Sequence, residues 1–197
     1  MSPNEKLNNY SLSGELPQKV GLAKSGSVIL LRKARVQDVR EILELINRFA
    51  EQNLMLPRGP QYLYENIRDF IVAINEEAGS SGGGESNPIQ SGNPSERLVG
   101  CGSLHGLGAD IAEVRSMVIH PDYQHRGLGE KIVECMREEA RHLGINILFT
   151  LTLAEKFFSR CGFERKARDE FPRKVWGECV YCPKYFKCDE IGMILEI

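Results

Sequence analysis

The sequence predicts a mixed α/β (α+β) fold in which a mostly antiparallel β-sheet is flanked by helices. Short apolar runs typical of buried strands alternate with segments whose apolar residues recur at helical spacing. In the middle of the chain, two apolar runs are joined through one polar, glycine-rich loop, which indicates a hairpin. The predicted element order is β-α-α-β-β-β-α-β-α-β.

The first half of the chain supplies half of these elements. Residues 28–31 form a short apolar strand, and residues 62–68 form a short helix. Residues 70–74 and 97–104 are the two strands of the predicted hairpin. The segment 36–53 is predicted to be a helix because one face is apolar, formed by Val39, Ile42, Leu43, Ile46 and Phe49.

The second half begins with a predicted strand at 111–119. A long helix follows Gly127, with an apolar stripe formed by Leu128, Ile132, Cys135, Met136, Ala140 and Leu143. Residues 145–151 form a fully apolar strand, residues 154–160 a short helix, and residues 191–197 the last strand.

One domain is predicted over residues 27–197, since the length suits a single hydrophobic core. Residues 1–26 are polar and lack helix or strand periodicity, so we expect a disordered tail. The segment 79–95 is rich in Gly, Ser and Asn and is expected to be a flexible loop within the domain.

Composition excludes several classes of partner. A formal net charge of -2 provides no basic field for a nucleic-acid backbone. No apolar stretch approaches the roughly 18 residues that a membrane span needs, and no signal peptide precedes the first element. We therefore expect a cytoplasmic protein whose six cysteines are reduced thiols or metal ligands.

The most informative motif is V-R-S-M-V-I-H-P-D-Y-Q-H-R-G-L-G-E at residues 114–130, where a strand turns into a helix. Backbone N–H groups of residues 124–129 and the helix dipole favour binding of a phosphate group. Gly127 and Gly129 allow a pyrophosphate close approach, and His125 and Arg126 add side-chain donors. The alternative is a turn that only begins a helix.

With H-P-D-Y before it, Q-H-R-G-L-G resembles the acetyl-CoA signature of the GNAT superfamily of N-acetyltransferases, and the likeness covers residues 28–197. The resemblance implies a sheet that splits at an acetyl-CoA cleft, with a splay after Val118 and the Val118 N–H polarising the thioester carbonyl. Met117, Val118 and Ile119 would lie beside the pantetheine arm. The pyrophosphate would be held by Gln124, His125, Arg126, Gly127, Leu128, Gly129 and Glu130.

A narrower resemblance is to stand-alone N-acetylglutamate synthases. It rests on L-P-R at 56–58, L-Y-E-N-I-R-D-F at 63–70, G-C-G-S-L-H at 100–105, A-E-V-R-S-M at 112–117, F-T-L-T at 149–152, F-F-S-R-C-G-F at 157–163 and C-P-K-Y-F-K-C-D-E-I-G-M. It implies synthesis of N-acetyl-L-glutamate from acetyl-CoA and L-glutamate, the first step of arginine biosynthesis. In the longer relatives, an amino-acid-kinase-like half carries the feedback inhibition by arginine. We expect no counterpart of that half in this chain.

Two other functions remain open at this point. One is a GNAT enzyme for another small amine or amino acid. The other is a catalytically silent acyl-CoA sensor, which the presence of a catalytic carboxylate would argue against.

Acetylation requires a base because an amino acid's amine is an ammonium at neutral pH. Glu113 lies within an apolar strand, so partial burial would raise its pKa into a useful range, and the resemblance places a base at this position. The alternative is a structural pair with Arg115, two residues along the same strand face. Phe158 occupies the position where many GNAT enzymes have a tyrosine that donates a proton to the departing CoA thiolate. The candidate general acid is therefore Thr152, or the reaction uses no general acid.

Glutamate brings two carboxylates, and the planar fork of arginine binds a carboxylate through two hydrogen bonds. Arg58 and Arg115 are the predicted substrate-binding arginines, although Arg58 could also be an exposed loop residue and Arg115 a partner of Glu113. The resemblance adds Ser116, which matches a cysteine that contacts glutamate in some relatives, and Lys187 as a further cation.

Three cysteines, Cys179, Cys182 and Cys188, could supply three ligands of a structural zinc site. The alternative is buried thiols, so the metal content is left open, and catalysis itself is expected to need no metal. A homodimer is possible if the final strand pairs across a two-fold axis.

Overall fold

In the computed structural model, the described residues are 16–21, 28–76, 97–167, 170–171, 179–182 and 184–197. The flexible loop expected at 79–95 lies outside these residues, as do positions 1–15 and 22–26 of the expected tail.

Within the described residues, eight strands form one sheet in the order β1-β2-β3-β4-β5-β6-β8-β7. Their bounds are β1 Gln18–Gly21, β2 Val28–Lys33, β3 Phe70–Asn75, β4 Arg97–Gly106, β5 Ile111–Ile119, β6 Ile147–Thr152, β7 Glu164–Lys166 and β8 Ile191–Glu196. The pairs β1–β2, β2–β3, β3–β4, β6–β8 and β7–β8 are antiparallel. This mostly antiparallel sheet with flanking helices confirms the predicted fold class.

The helices are α1 Val39–Ala50, α2 Pro60–Asn66, α3 Leu128–His142 and α4 Glu155–Arg160. The chain divides into two compact units, Met1–Ser103 with Ser116–Glu139, and Leu104–Arg115 with Ala140–Ile197. Both β4 and β5 contribute residues to each unit. None of the helices within the described residues has the length and apolar composition needed to cross a membrane.

In the first unit, the core joins α1 and α2 to the strands. The apolar face of α1 is buried against Leu63 of α2 and against strand residues such as Phe70 and Val72. Helix α1 is shorter than predicted because Val36–Asp38 form a 3-10 turn. The Asp38 carboxylate caps that turn by accepting from the Arg35 N–H at 2.6 Å and pairs with Arg32 at 2.7 and 3.0 Å.

Strand β1 corrects the expectation of a structureless tail over Gln18–Gly21. It pairs with β2 from Gln18↔Leu31 to Gly21↔Val28, and Val20 is buried. The strand contains one apolar residue between polar ones, so its sequence carries almost no alternating pattern. Residues Gln18–Gly21 are therefore ordered by their pairing with β2 and not by a strand pattern in their own sequence.

The second unit is built around β6 and β8. Phe149 of β6 packs against Phe171 with ring centroids 5.8 Å apart, and both are buried. Strand β8 pairs with β6 along Ile191–Glu196 and with β7 along Gly192–Ile194. The final strand therefore has neighbours on both sides, which corrects the suggestion that it could pair across a two-fold axis.

The parallel pairing of β5 with β6 runs from Ile111↔Ile147 to Glu113↔Phe149. It ends at Glu113, earlier along β5 than the splay after Val118 that the resemblance implied. Strand β5 continues to Ile119, and Ser116 within it has the left-handed φ of 54°. A non-glycine residue in that conformation interrupts the regular geometry of the strand at this position.

Candidate active site

The turn between β5 and α3 is anchored to the first unit by side chains. The Gln124 amide donates to the Ile119 carbonyl at 2.9 Å, and the Asn75 amide donates to the Tyr123 hydroxyl at 2.7 Å. The Arg126 guanidinium lies 5.8 Å from the centroid of the Tyr123 ring. The turn is therefore held at both β3 and β5 before the helix begins.

The backbone of this turn adopts left-handed conformations at His125, with a φ of 58°, and at Gly127, with a φ of 82°. A Cβ at Gly127 would meet nothing within 4 Å, so conformation and not space favours glycine there. The first helical hydrogen bond joins the Lys131 N–H to the Gly127 carbonyl at 3.2 Å. The N–H groups of the preceding first turn are those that an α-helix leaves for an anion.

One expected phosphate donor is already used. The Gln124 N–H donates to the Pro121 carbonyl at 3.2 Å, which leaves the N–H groups of residues 125–129 as the predicted backbone donors to a phosphate. Leu128 and Gly129 are buried where α3 begins, whereas His125 is exposed and Arg126 and Glu130 are half-buried.

The end of β5 lies close to β4. A Cβ built on Gly100 would come within 2.7 Å of Ile119 Cδ1 and 3.3 Å of the Val118 carbonyl, so a larger residue there would require the Ile119 side chain to move. Val118 is buried in the core with α1 and α2, while Met117 and Ile119 on either side of it are half-buried. The alternation gives β5 one core face and one partly open face.

The carboxylate and guanidinium of Glu113 and Arg115 lie together in the second unit. Arg115 Nη1 is 3.5 Å from Glu113 Oε2, with side-chain exposures of 6% and 16%. This is the pair that the sequence offered as an alternative to a catalytic base. A buried charged pair needs further polar partners to offset its desolvation, and both residues have additional interactions.

Ser116 is 8% exposed, and among the described residues its hydroxyl has no hydrogen-bond partner. Its backbone carbonyl accepts from the Cys101 thiol at 3.9 Å. Burial raises the pKa of that thiol far above its usual range, so Cys101 remains a protonated packing residue.

Thr152, Phe158 and Lys187 lie in the second unit. The Thr152 hydroxyl accepts from the Ala154 N–H at 2.9 Å, and the residue is buried. Phe158 is 3% exposed and packs edge to face against Phe163 at 5.2 Å between centroids, so it is a core residue. Lys187 is exposed on the 3-10 turn Tyr185–Lys187.

Arg58 is positioned by a residue that the sequence analysis missed. The Asn47 carboxamide accepts from the Arg58 N–H at 3.0 Å and donates to the Arg58 carbonyl at 3.2 Å. The Arg58 guanidinium lies 4.2 Å from the centroid of the Tyr62 ring, a cation–π contact. Nothing in the local pattern of α1 distinguishes Asn47, since the contact joins residues from different elements.

The described residues of the cysteine segment include Cys179, Cys182 and Cys188. Within the described part of the chain, no group of three or more His, Cys, Asp or Glu side chains could hold a metal ion. The Cys182 N–H bonds to the Cys179 carbonyl at 3.0 Å, and the Cys188 thiol lies 4.0 Å from Glu190 Oε2.

Comparison with known proteins defines the class. Residues 87–165 match the family described as "Acetyltransferase (GNAT) domain". The chain is 30% identical over 164 residues to an uncharacterized N-acetyltransferase of Chlorobaculum tepidum, covering 83% of this chain and 94% of that protein. It therefore belongs to the GNAT family of N-acetyltransferases, which use acetyl-CoA and need no metal.

Within that family, the similarity extends to amino-acid acetyltransferases. The protein with that name from Mycobacterium tuberculosis is 32% identical over 134 residues, which are 68% of this chain and 67% of that protein. The crystal structure of Rv2747 from Mycobacterium tuberculosis, in complex with CoA and a second ligand, matches with a TM-score of 0.63. It is 26% identical, and the match covers 85% of this chain and 98% of that chain. The chain is thus an amino-acid N-acetyltransferase of GNAT type.

Proposed function

We propose that the amino acid is L-glutamate and that the enzyme makes N-acetyl-L-glutamate, the first step of arginine biosynthesis in the cytoplasm. The observation that carries this proposal is the placement of Arg58. Asn47 fixes its backbone, Tyr62 supports its guanidinium, and among the described residues it has no carboxylate within salt-bridge distance. A guanidinium that is held in place and whose N–H donors are not engaged by a carboxylate can bind an anionic acceptor substrate.

Arg115 is the second cation in the proposal. It is 8% exposed and contacts Glu113, so it is held in place before a substrate arrives. Each arginine can bind one of the two carboxylates of glutamate, whereas a polyamine acceptor is positively charged and would be repelled by both arginines. Ser116 and Lys187 are proposed as additional contacts, Ser116 because its buried hydroxyl has hydrogen-bonding capacity that the described residues do not satisfy.

Acetyl-CoA supplies the acetyl group as a thioester. The pyrophosphate is proposed to lie against the turn and helix start formed by His125, Arg126, Gly127, Leu128, Gly129 and Glu130, with Gln124 bracing the turn through its side chain. The half-buried Met117 and Ile119, with Val118 between them, are proposed to contact the pantetheine arm.

Glu113 is proposed to accept one proton from the substrate ammonium through a water, which frees the nitrogen lone pair to attack the thioester carbonyl. The Val118 N–H stabilises the charge that develops on the carbonyl oxygen. The carbon–sulfur bond then breaks, the nitrogen releases its second proton to solvent, and the departing thiolate takes up a proton from solvent, either directly or relayed through the Thr152 hydroxyl, which is reprotonated in turn. A thiol with a pKa of about 8.5 leaves readily, so the Thr152 contribution is small.

The test is thiol release from acetyl-CoA with L-glutamate, a panel of other amino acids, and polyamines. We expect glutamate-selective release, with a KM for glutamate that rises about tenfold or more in Arg58→Gln and less in Arg58→Lys, which keeps the charge. Release with a different amino acid alone would refute the glutamate assignment. No release with any amine would contradict the acetyltransferase activity itself.

A further inference from the structure

Two guanidinium groups converge on one histidine at the end of β5. His120 Nε2 lies 3.1 Å from Arg97 Nη2 and 3.4 Å from Arg48 Nη1. Arg97 begins β4 and Arg48 lies in the last turn of α1, so three elements of the first unit meet at this ring. We call Arg48, Arg97 and His120 the arginine–histidine cluster.

The two arginines of the cluster bring two positive charges to one place on the surface. Among the described residues, neither Arg48 nor Arg97 has an acidic side chain within 4.0 Å. On the other side of the ring, the Asp122 carboxylate oxygen Oδ2 lies 3.5 Å from Nδ1, and the Asp122 side chain is 72% exposed. Two like charges held at one acceptor repel each other, and a bound anion would relieve that repulsion.

The tautomer of His120 follows from these contacts. Nε2 faces only guanidinium donors, whereas Nδ1 lies 3.4 Å from the Asp122 N–H and 3.5 Å from the Asp122 carboxylate oxygen Oδ2. Because only Nδ1 has an acceptor beside it, the neutral tautomer with its proton on Nδ1 is favoured. Burial, and then the charge of Arg97, hold the pKa of His120 below its usual range. The neutral ring links the two guanidinium groups, while each keeps further N–H donors for another partner.

We infer that the arginine–histidine cluster is a binding site for a phosphate dianion. Two guanidinium groups from different elements match the charge of a phosphate dianion and offer donors from separate directions. The position of the cluster is consistent with this, since His120 immediately precedes the turn that leads into α3. The phosphate is either the 3′-phosphate of coenzyme A or free inorganic phosphate.

This inference requires acetyl-CoA as the cosubstrate but not glutamate as the acceptor. The affinities of CoA and of 3′-dephospho-CoA are measured by titration calorimetry for the wild type, Arg97→Gln and Arg48→Gln. Arg40→Gln is the control, because Arg40 is also an exposed arginine of α1 and pairs with Glu44. Thermal unfolding of each variant checks that the fold is kept.

If the site takes the 3′-phosphate, Arg97→Gln and Arg48→Gln weaken CoA binding about tenfold or more and leave dephospho-CoA and Arg40→Gln unchanged. If it takes free phosphate, the wild type binds inorganic phosphate alone, and Arg97→Gln abolishes that binding without affecting CoA. The inference is overturned if neither variant changes the CoA to dephospho-CoA ratio or phosphate binding. A rise in the KM for the amino acid alone would also overturn it, since the site would then bind a carboxylate.

Discussion

Asn47→Ala tests whether Arg58 works because its backbone is held. The substitution removes both hydrogen bonds between the Asn47 carboxamide and the Arg58 backbone, at 3.0 and 3.2 Å. Each is a neutral bond with a net value of about 0.5–1.5 kcal/mol, so the free energy of unfolding should fall by about 1–3 kcal/mol. Arg58 itself remains, but its guanidinium is no longer fixed over Tyr62.

The kinetic consequence is separable from the loss of stability. A loosened guanidinium gives up part of a charge-assisted interaction, and a loss of about 1.4 kcal/mol raises the KM for the amino acid about tenfold. The affinity for acetyl-CoA should not change, because Asn47 contacts Arg58 and not the turn before α3. The assay is initial-rate thiol release at several concentrations of each substrate, below the melting temperature of the variant.

Gln61→Ala is the matched control, since its amide contacts Glu65 on the exposed surface of α2. It should leave both KM values unchanged. The reasoning fails if Asn47→Ala lowers stability but leaves the KM for the amino acid as in the wild type, because a purely structural role of Asn47 predicts that result.

Other predictions address separate features of the site. Glu113→Gln should lower kcat about 100-fold or more while retaining CoA binding, as measured by thiol release and calorimetry; near-normal kcat would exclude Glu113 as the base. Gly127→Ala forces a Cβ into a φ of 82° and should cost about 1–2 kcal/mol of unfolding free energy and weaken CoA; an unchanged melting curve would contradict this. Burial raises the pKa of Cys135 to about 11, so its alkylation at pH 8 should be slow compared with that of Cys182, as mass spectrometry would show; equal rates would refute the burial.

The sequence predicted best those elements whose pattern and environment agree. Strand β5 has the predicted bounds, Ile111–Ile119, because apolar and β-branched residues at both ends of the segment favour a buried strand. Strand β7 was missed because its three residues are all exposed and charged, so only pairing with β8 orders it. Strand β1 was missed for the same physical reason, since its order comes from β2.

The candidate site shows the same division. The Glu113–Arg115 contact could be proposed from the two-residue spacing along one strand, which puts both side chains on one face. The contact between Asn47 and Arg58 joins α1 to the following loop, and the cluster at His120 joins three elements. Such contacts depend on how distant elements pack, and no local periodicity reports them.

The measurement that tests the central claim most directly is the ratio of kcat/KM for L-glutamate to that for L-glutamine, with the acetylated product identified by mass spectrometry. The two substrates differ by one charge, so an acceptor site built with arginines predicts a preference for glutamate of about tenfold or more. Equal rates, or a preference for glutamine or for an uncharged amino acid, would contradict the account.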